Sequence, residues 1–221
     1  MSKSALLVGM AVLALTAGDA LAWQSNLVVN ATNIRPISPA SILYSQNKVK
    51  DYGYSIVSQN FGSGLTSYDS AAADDFVVPA GKIWKVTGVD VAGEYFSGNG
   101  PASSEVITFF KNGAGHPGTV IGQAQTVNCT DTAGSFTCAI NAVTLTGGKK
   151  GKRYWVSVVA NCNQKCGEWG WIQNTTTHHN PGQWENPGGG FGYGCSSWND
   201  TSSCIANAAD DFAFDLRGKT S

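Results

Sequence analysis

The chain has 221 residues, of which 13% are charged, and its formal net charge at pH 7 is −1. A surface so close to neutral excludes a general electrostatic attraction to nucleic acid or to an anionic membrane. The length suffices for a single domain with a hydrophobic core of its own.

Residues 1–22 have the features of a signal peptide. Lys3 provides a positive charge near the N-terminus, and residues 5–17 form an apolar run with only small polar interruptions. Ala20-Leu21-Ala22 then matches the small-x-small pattern of a signal-peptidase site. The run is too short for a typical transmembrane helix, so an uncleaved anchor is the weaker alternative. We expect a secreted product with no membrane insertion after cleavage, and the periplasm is the alternative compartment.

Residues 23–50 differ in composition from the rest of the exported chain. Asn, Ser and Pro are frequent in this segment. Arg35-Pro36 and Ser38-Pro39 disfavour regular secondary structure, because the residue before a proline is conformationally restricted. We predict an N-terminal arm or partly ordered segment here, followed by one domain over residues 51–221.

Short strand patterns recur along that domain. Alternating or β-branched runs occupy residues 54–61, 83–91, 106–110, 120–127, 136–145, 154–159, 169–173 and 212–216. Glycine and proline fall between these runs, and the chain contains 27 glycines. Short strands separated by such turn residues predict an all-β fold, namely a jelly-roll-like antiparallel β-sandwich.

The six cysteines all lie in the second half of the chain. They are Cys129, Cys138, Cys162, Cys166, Cys195 and Cys204. An even number of cysteines in a secreted chain predicts disulfides. Their spacing favours three sequence-local bridges that join consecutive cysteines and hold loops. A zinc site is the weaker alternative, because no Cys-x-x-Cys motif is present.

Aromatic residues are concentrated between residues 168 and 198, among many Gly, Asn and Gln residues. Rigid aromatic faces beside amides suit carbohydrate recognition. The Gly-rich, loop-like context predicts that Trp184, Tyr193 and Trp198 form an exposed platform. Trp169 and Trp171 share one strand face and are also candidates, although a core position is the favoured interpretation for this pair.

The phrase Ala-Ala-Asp-Asp-Phe occurs twice, at residues 72–76 and 208–212. Its repetition predicts that the first and last strands lie side by side and close the sandwich. Alternation places Asp74 and Asp210 on the inward face of the phenylalanines, and Asp75 and Asp211 on the outward face. Calcium accepts several oxygen ligands in an irregular shell, so we predict a structural calcium site at these four aspartates. The alternative is that backbone N–H groups satisfy the carboxylates.

A series of motifs over about residues 70–218 points to a known family. They are Ala-Asp-Asp-Phe, Val-Pro-Ala-Gly-x-x-Trp, Ile-Thr-Phe-Phe-Lys-Asn-Gly, Gly-x-x-Tyr-Trp-Val-Ser-Val, Trp-Gly-Trp and Asp-Phe-Ala-Phe-x-Leu-x-Gly. In this order they resemble a broad, largely uncharacterised family of bacterial extracellular β-sandwich domains. The resemblance implies the fold and an extracellular location, and it carries over no catalytic residues. Some members of the family precede a C-terminal sorting signal. This chain has no C-terminal hydrophobic anchor of that kind, which predicts free secretion.

The functional prediction is a freely secreted, non-catalytic β-sandwich that binds an extracellular ligand, with carbohydrate as the expected class. One alternative is a secreted hydrolase of polysaccharide or peptide that uses paired carboxylates, which are assembled from distant sequence positions. Its candidate residues are Glu94, Glu105, Glu168 and Glu185. The other alternative is a structural cell-surface or matrix protein that binds a protein partner.

Overall fold

Antiparallel strands make up most of the chain. The computed structural model describes residues 28–30, 42–47, 52–163, 166–174 and 176–221. The predicted signal peptide and most of the predicted N-terminal arm lie outside these residues. The all-β sandwich expected from the sequence is confirmed, and the strand predicted at residues 83–91 is reproduced residue for residue.

The strands have the following bounds. In chain order they are β1 (Val28–Asn30), β2 (Ile42–Ser45), β3 (Tyr52–Val57), β4 (Gln59–Asn60), β5 (Ala71–Val78), β6 (Ile83–Val91), β7 (Gly93–Phe96), β8 (Ser104–Asn112), β9 (Pro117–Val120), β10 (Gln125–Val127), β11 (Thr130–Thr132), β12 (Ser135–Thr146), β13 (Lys152–Asn161), β14 (Glu168–Asn174), β15 (Gln183–Glu185), β16 (Asn199–Asp200), β17 (Asp211–Phe212) and β18 (Phe214–Thr220). A 3-10 turn at Thr66–Tyr68 and a short helix, α1 (Thr201–Cys204), complete the elements of the described residues.

Within the described residues, these strands form three sheets. The eight-stranded sheet has the order β10-β8-β13-β5-β15-β16, with β9 beside β8 and β4 beside β13. The β6 sheet has the order β11-β12-β6-β18-β2, and the β14 sheet has the order β1-β3-β14-β17 with β7 beside β14. All pairings are antiparallel except β4 with β13, which is parallel. Strand β2 belongs to the β6 sheet although it precedes the predicted domain boundary at residue 51.

Aromatic side chains from different sheets meet in one core. Phe76 of the eight-stranded sheet stacks on Trp84 of the β6 sheet, with ring centroids 6.2 Å apart. Phe136 of the β6 sheet stacks on Trp169 of the β14 sheet at 4.7 Å. Trp171 is fully buried as well. The core interpretation of the Trp-x-Trp strand is therefore confirmed.

The two copies of the repeated phrase occupy different sheets. The first copy lies in β5, which pairs with β13 and β15, whereas the second copy leads into β17, which pairs with β14. The prediction that these strands pair side by side is wrong. They meet instead through a side chain, because the backbone N–H of Phe212 donates to Asp74 Oδ2 at 2.6 Å.

Three disulfides link consecutive cysteines along the chain. The pairs are Cys129–Cys138, Cys162–Cys166 and Cys195–Cys204. The predicted local connectivity is confirmed, and such bridges are typical of oxidising compartments. No helix in the described part of the chain has both the length and the hydrophobicity needed to cross a membrane.

Candidate functional site

The outer face of the eight-stranded sheet carries a second, smaller apolar cluster. Tyr154 and Val156 of β13 point into the main core, so alternation places Trp155 on the opposite face. Trp155 is fully buried there and packs with Phe110 and Ala73. This face is therefore covered by other parts of the chain at its centre rather than open to solvent.

Trp198 provides part of that cover. Its ring packs edge-on against Phe110, with centroids 6.0 Å apart and an interplanar angle of 74°. Trp198 itself is only half-buried. Beneath it, the indole N–H of Trp155 donates to Asn112 Oδ1 at 3.0 Å. A partly exposed aromatic surface thus lies at this end of the sheet, next to the exposed amide of Asn112.

A row of side chains on β8 leads away from Trp198. Phe110, Thr108 and Val106 lie opposite Trp155, Ser157 and Val159 of β13 and so share the outer face. We call these three β8 residues the β8 strip. Four residues of extended chain separate its ends, which is about 13 Å. Thr108 and Val106 remain partly exposed.

The strip ends at a cavity of about 230 Å³. The residues that line it come from five strands and two loops: Asn60, Asp69, Ser70, Ala71, Val106, Val159, Glu185 and Pro187. Apolar walls therefore stand beside an amide, a hydroxyl and two carboxylates. The strip and this cavity form the candidate site.

The two carboxylates of the cavity have different surroundings. Burial raises the pKa of Glu185 to about 7, and its carboxylate has no hydrogen-bond or ion-pair partner among the described residues. Asp69 Oδ1 instead accepts a hydrogen bond from the backbone N–H of Phe61 at 2.7 Å. A ligand in the cavity would therefore meet the carboxylate of Asp69, which is held by a backbone N–H group, and that of Glu185, which is free to bind the ligand.

Packing against the backbone of Ser67 holds the glycine-rich loop at residues 186–190 beside the cavity. Asn186 Nδ2 donates to the carbonyl oxygens of Ser67 at 2.7 Å and Asp69 at 2.8 Å. A Cβ at Gly188 would lie 2.5 Å from Ser67 Cα, and one at Gly190 would lie 2.7 Å from Ser67 O. Glycine is required at both positions because of this close approach. This packing therefore fixes the position of the loop, which contributes Pro187 to the lining of the cavity.

The predicted aromatic platform is mostly inside the protein. Trp184 is fully buried and its indole N–H donates to Val57 O at 2.9 Å, so its assignment to an exposed platform is wrong. The reason is that residues 183–185 form a strand opposite β5, where Trp184 faces the small residue Ala72. Tyr193 is half-buried against Trp184, with centroids 6.2 Å apart. Of the predicted set, Trp198 is the residue that reaches the outer face of the eight-stranded sheet.

Asp74 lies at the centre of a buried hydrogen-bond network. Its Oδ2 accepts from Gln46 Nε2 at 2.5 Å and from the backbone N–H of Phe212 at 2.6 Å. Its Oδ1 accepts from the backbone N–H of Asp75 at 2.7 Å. Burial, with the nearby charge of Asp211, holds the pKa of Asp74 well above its usual range. The predicted inward orientation of Asp74 is confirmed.

Asp75 and Asp211 are both buried beneath the segment around residue 180. Asp75 has the predicted outward orientation, since it lies opposite Trp155 of β13 on the outer face of the eight-stranded sheet. Asp75 Oδ2 lies 3.1 Å from Arg153 Nε and accepts from the backbone N–H of Asn180 at 3.3 Å. Asp211 Oδ2 accepts from the backbone N–H of His178 and lies 3.1 Å from its Nδ1. A covering segment, not strand alternation, decides their burial.

Asp210, predicted to point inward, is only partly buried. It precedes the start of β17, so strand alternation does not orient it. Its Oδ2 accepts a hydrogen bond from Thr177 Oγ1 at 3.3 Å. The second copy of the phrase therefore buries its second aspartate, whereas the first copy buries both.

The aspartates fit a calcium ion only in part. Asp75 Oδ1 and Asp211 Oδ1 are buried and accept no hydrogen bond among the described residues. Among those same residues, however, the ligand atoms that gather within 4.8 Å of one another belong to Glu105, Cys129 and Cys138, not to the aspartates. The two cysteines form a disulfide and so are not metal ligands. The calcium site stays a prediction.

We expect the melting temperature to rise as the pH is lowered from about 8 to about 5. Burial raises the pKa of Asp75 and of Asp211 to about 7, above the value of about 3.9 for an unfolded aspartate. The folded chain therefore holds protons that the unfolded chain releases. This stabilisation is complete below about pH 4 and is lost as the pH rises through 7.

Scanning calorimetry across this range should show a difference of about 5 °C. Burial also raises the pKa of Glu168 and Glu185 to about 7, in the same direction. The double variant Asp75→Asn/Asp211→Asn serves as the control, and its melting temperature should change less with pH than that of the wild type. A melting temperature that falls on acidification in the wild type would contradict the assignment.

The remaining carboxylate candidates do not line the cavity. Glu94 accepts from Ser55 Oγ at 2.8 Å, and Glu105 accepts from the backbone N–H of Cys129 at 2.8 Å. Glu168 is buried at the start of β14. Glu185 is therefore the member of the predicted set that reaches the candidate site. Asp69, its neighbour there, was missed because a single aspartate before a strand has no distinguishing pattern.

A larger cavity of about 540 Å³ lies at the edge formed by β10. Residues 121–127 and 141–144 line it, and none of them is charged or aromatic. The side-chain amide of Gln125 crosses toward β12, accepting from Asn141 N at 2.7 Å and donating to Asn141 O at 3.0 Å. With neither an aromatic face nor an ionisable group, this cavity is the weaker candidate site.

Comparison with known proteins gives little further information. No protein-family model matches the chain, and neither does any curated protein. Among solved structures, a crystal structure of the cysteine protease and lectin-like domains of a surface layer associated protein of Clostridium difficile matches with a TM-score of 0.44 and 15% sequence identity. The match covers 66% of this chain and 31% of that chain. The chain thus spans less than a third of the structure it matches.

Proposed function

We propose that the chain is an extracellular carbohydrate-binding domain whose ligand lies along the β8 strip between Trp198 and the cavity. The observation that carries the proposal is the half-buried ring of Trp198, packed on Phe110 at one end of the strip. An aromatic face held by a second ring is preorganised for stacking on a sugar ring. The three disulfides support the extracellular part of the proposal.

The dimensions and chemistry of the strip favour a short saccharide. About 13 Å of extended β8 separates Phe110 from Val106, a span suited to an oligosaccharide rather than to a single sugar. Thr108 offers a hydroxyl along the way, and Asn60 and Ser70 offer polar groups in the cavity. Apolar surface with a few convergent polar groups is the usual composition of a ligand site.

Trp198→Ala should weaken saccharide binding at least about tenfold, because loss of an aromatic anchor at an interface typically costs more than 1 kcal/mol. A glycan array with the oxidised protein identifies the saccharide, and isothermal titration calorimetry then measures both affinities. The fold should survive, since Trp198 is only half-buried.

Tyr193→Ala is the matched control for this experiment. Tyr193 is also half-buried, but it packs on Trp184 and does not line the cavity. Its removal should leave saccharide affinity unchanged. If both variants bind as the wild type does, or if Tyr193→Ala alone loses binding, the proposed site is wrong.

A further inference from the structure

The cavity at the end of the β8 strip is lined by two acidic side chains. Asp69 and Glu185 both line it, and the other lining residues are Asn60, Ser70, Ala71, Val106, Val159 and Pro187. None of these carries a positive charge. Among the described residues, the cavity therefore offers two carboxylates and no basic group to a ligand.

On the described part of this face, the positive charge of Arg153 is remote from the cavity and already paired. Arg153 lies six residues from Val159 along β13, which is about 20 Å of extended chain. Its Nε is 3.1 Å from Asp75 Oδ2. Arg153 therefore does not neutralise Asp69 or Glu185.

Glu185 in particular has no partner among the residues that the structure describes. Its carboxylate makes no hydrogen bond or ion pair among the described residues, although it faces the cavity. Burial opposes its ionisation and raises its pKa to about 7. A desolvated carboxylate gains either from a proton or from a nearby cation. A cationic group on the ligand would provide this nearby positive charge.

We propose that the saccharide is an amino sugar whose ammonium group enters the cavity between Asp69 and Glu185. This inference rests on the proposed function, because the neighbouring rings of the saccharide lie along the β8 strip toward Trp198. Carboxylate–ammonium contacts in a cavity with apolar walls are charge-assisted and stronger than neutral hydrogen bonds. An acetylated amino sugar has the same ring but no positive charge, so the site discriminates against it.

The test compares two oligosaccharides that differ only at nitrogen. Calorimetric titrations at about pH 6.5 use a tetramer of glucosamine and a tetramer of N-acetylglucosamine. The glucosamine tetramer should bind at least about tenfold more tightly, equivalent to about 1.4 kcal/mol. Titration in buffers of different ionisation enthalpy should also show that a proton is released on binding, because Glu185 must ionise.

Substitutions distinguish the contribution of the cavity to binding from that of the β8 strip. Asp69→Asn and Glu185→Gln should each remove most of the preference for the glucosamine tetramer and leave weak binding of the acetylated tetramer unchanged. Glu94→Gln is the matched control, since the pKa of Glu94 is also raised by burial but Glu94 does not line the cavity. It should retain the full preference.

The outcomes also distinguish this inference from the proposed function. Equal affinity for both tetramers, with both lost in Trp198→Ala, overturns the amino-sugar assignment and leaves the carbohydrate site in place. Tighter binding of a tetralysine peptide than of the glucosamine tetramer overturns the assignment in favour of a basic peptide. Binding of neither tetramer overturns it outright.

Discussion

Trp184→Ala is expected to lower the free energy of unfolding by about 3–5 kcal/mol, the usual cost of removing a buried tryptophan. Trp184 is fully buried, its indole N–H donates to Val57 O at 2.9 Å, and its ring lies 6.0 Å from that of Phe191. The substitution therefore removes packing and also leaves a buried carbonyl without its donor. Urea denaturation followed by intrinsic fluorescence and circular dichroism measures the change.

Tyr54→Ala provides the comparison for an exposed aromatic residue. Tyr54 is 41% exposed, so its loss should cost less than about 1 kcal/mol. Under conditions in which Trp184→Ala remains folded, it should still bind the saccharide. Loss of binding by Trp184→Ala at unchanged stability would instead restore the interpretation of Trp184 as part of an exposed platform.

Asp74→Ala should destabilise the chain by about 3 kcal/mol, because it leaves buried donors without an acceptor. Asp74 accepts hydrogen bonds from Gln46 Nε2 and from the backbone N–H groups of Phe212 and Asp75. These contacts join β5 to the last residue of β17 and to Gln46, which directly follows β2. Their loss should therefore loosen the junction between the three sheets, and thermal and urea unfolding both report it.

The second copy of the repeated phrase offers a control within the same molecule. Asp210 occupies the position equivalent to Asp74 but is only partly buried, and its side chain is bonded to Thr177 at 3.3 Å. Asp210→Ala should change stability by no more than about 0.5 kcal/mol. Equal effects of the two substitutions would show that Asp74 does not act through its buried network.

The strands and the disulfides followed from local sequence patterns. Alternation along residues 154–158 places Tyr154 and Val156 in the core and Trp155 on the other face, and the structure agrees. Cysteines nine or four residues apart form bridges with each other. In both cases neighbouring residues decide the outcome, so a single sequence contains the necessary information.

The candidate site depended on contacts between distant residues. Glu185 reaches the cavity because β15 pairs with β5, which sets Glu185 opposite Ala71 and Trp184 opposite Ala72. Asp69 reaches it from the segment that precedes β5. No local pattern reports such a pairing, and a glycine-rich context predicted a loop where a strand exists. Asp211 is buried for a similar reason, since a separate segment covers it.

The sequence by itself determined the all-β class, most strand positions, the main-core tryptophans Trp169 and Trp171, and the disulfide pairs, because each depends on side-chain period or on short separation along the chain. The tertiary structure decided which sheet each strand joins, which aspartates are buried, and where Trp198, Asp69 and Glu185 lie relative to the β8 strip. Those properties depend on strand pairing and on coverage by remote segments, which are set by the free energy of the whole core and not by any one stretch of residues.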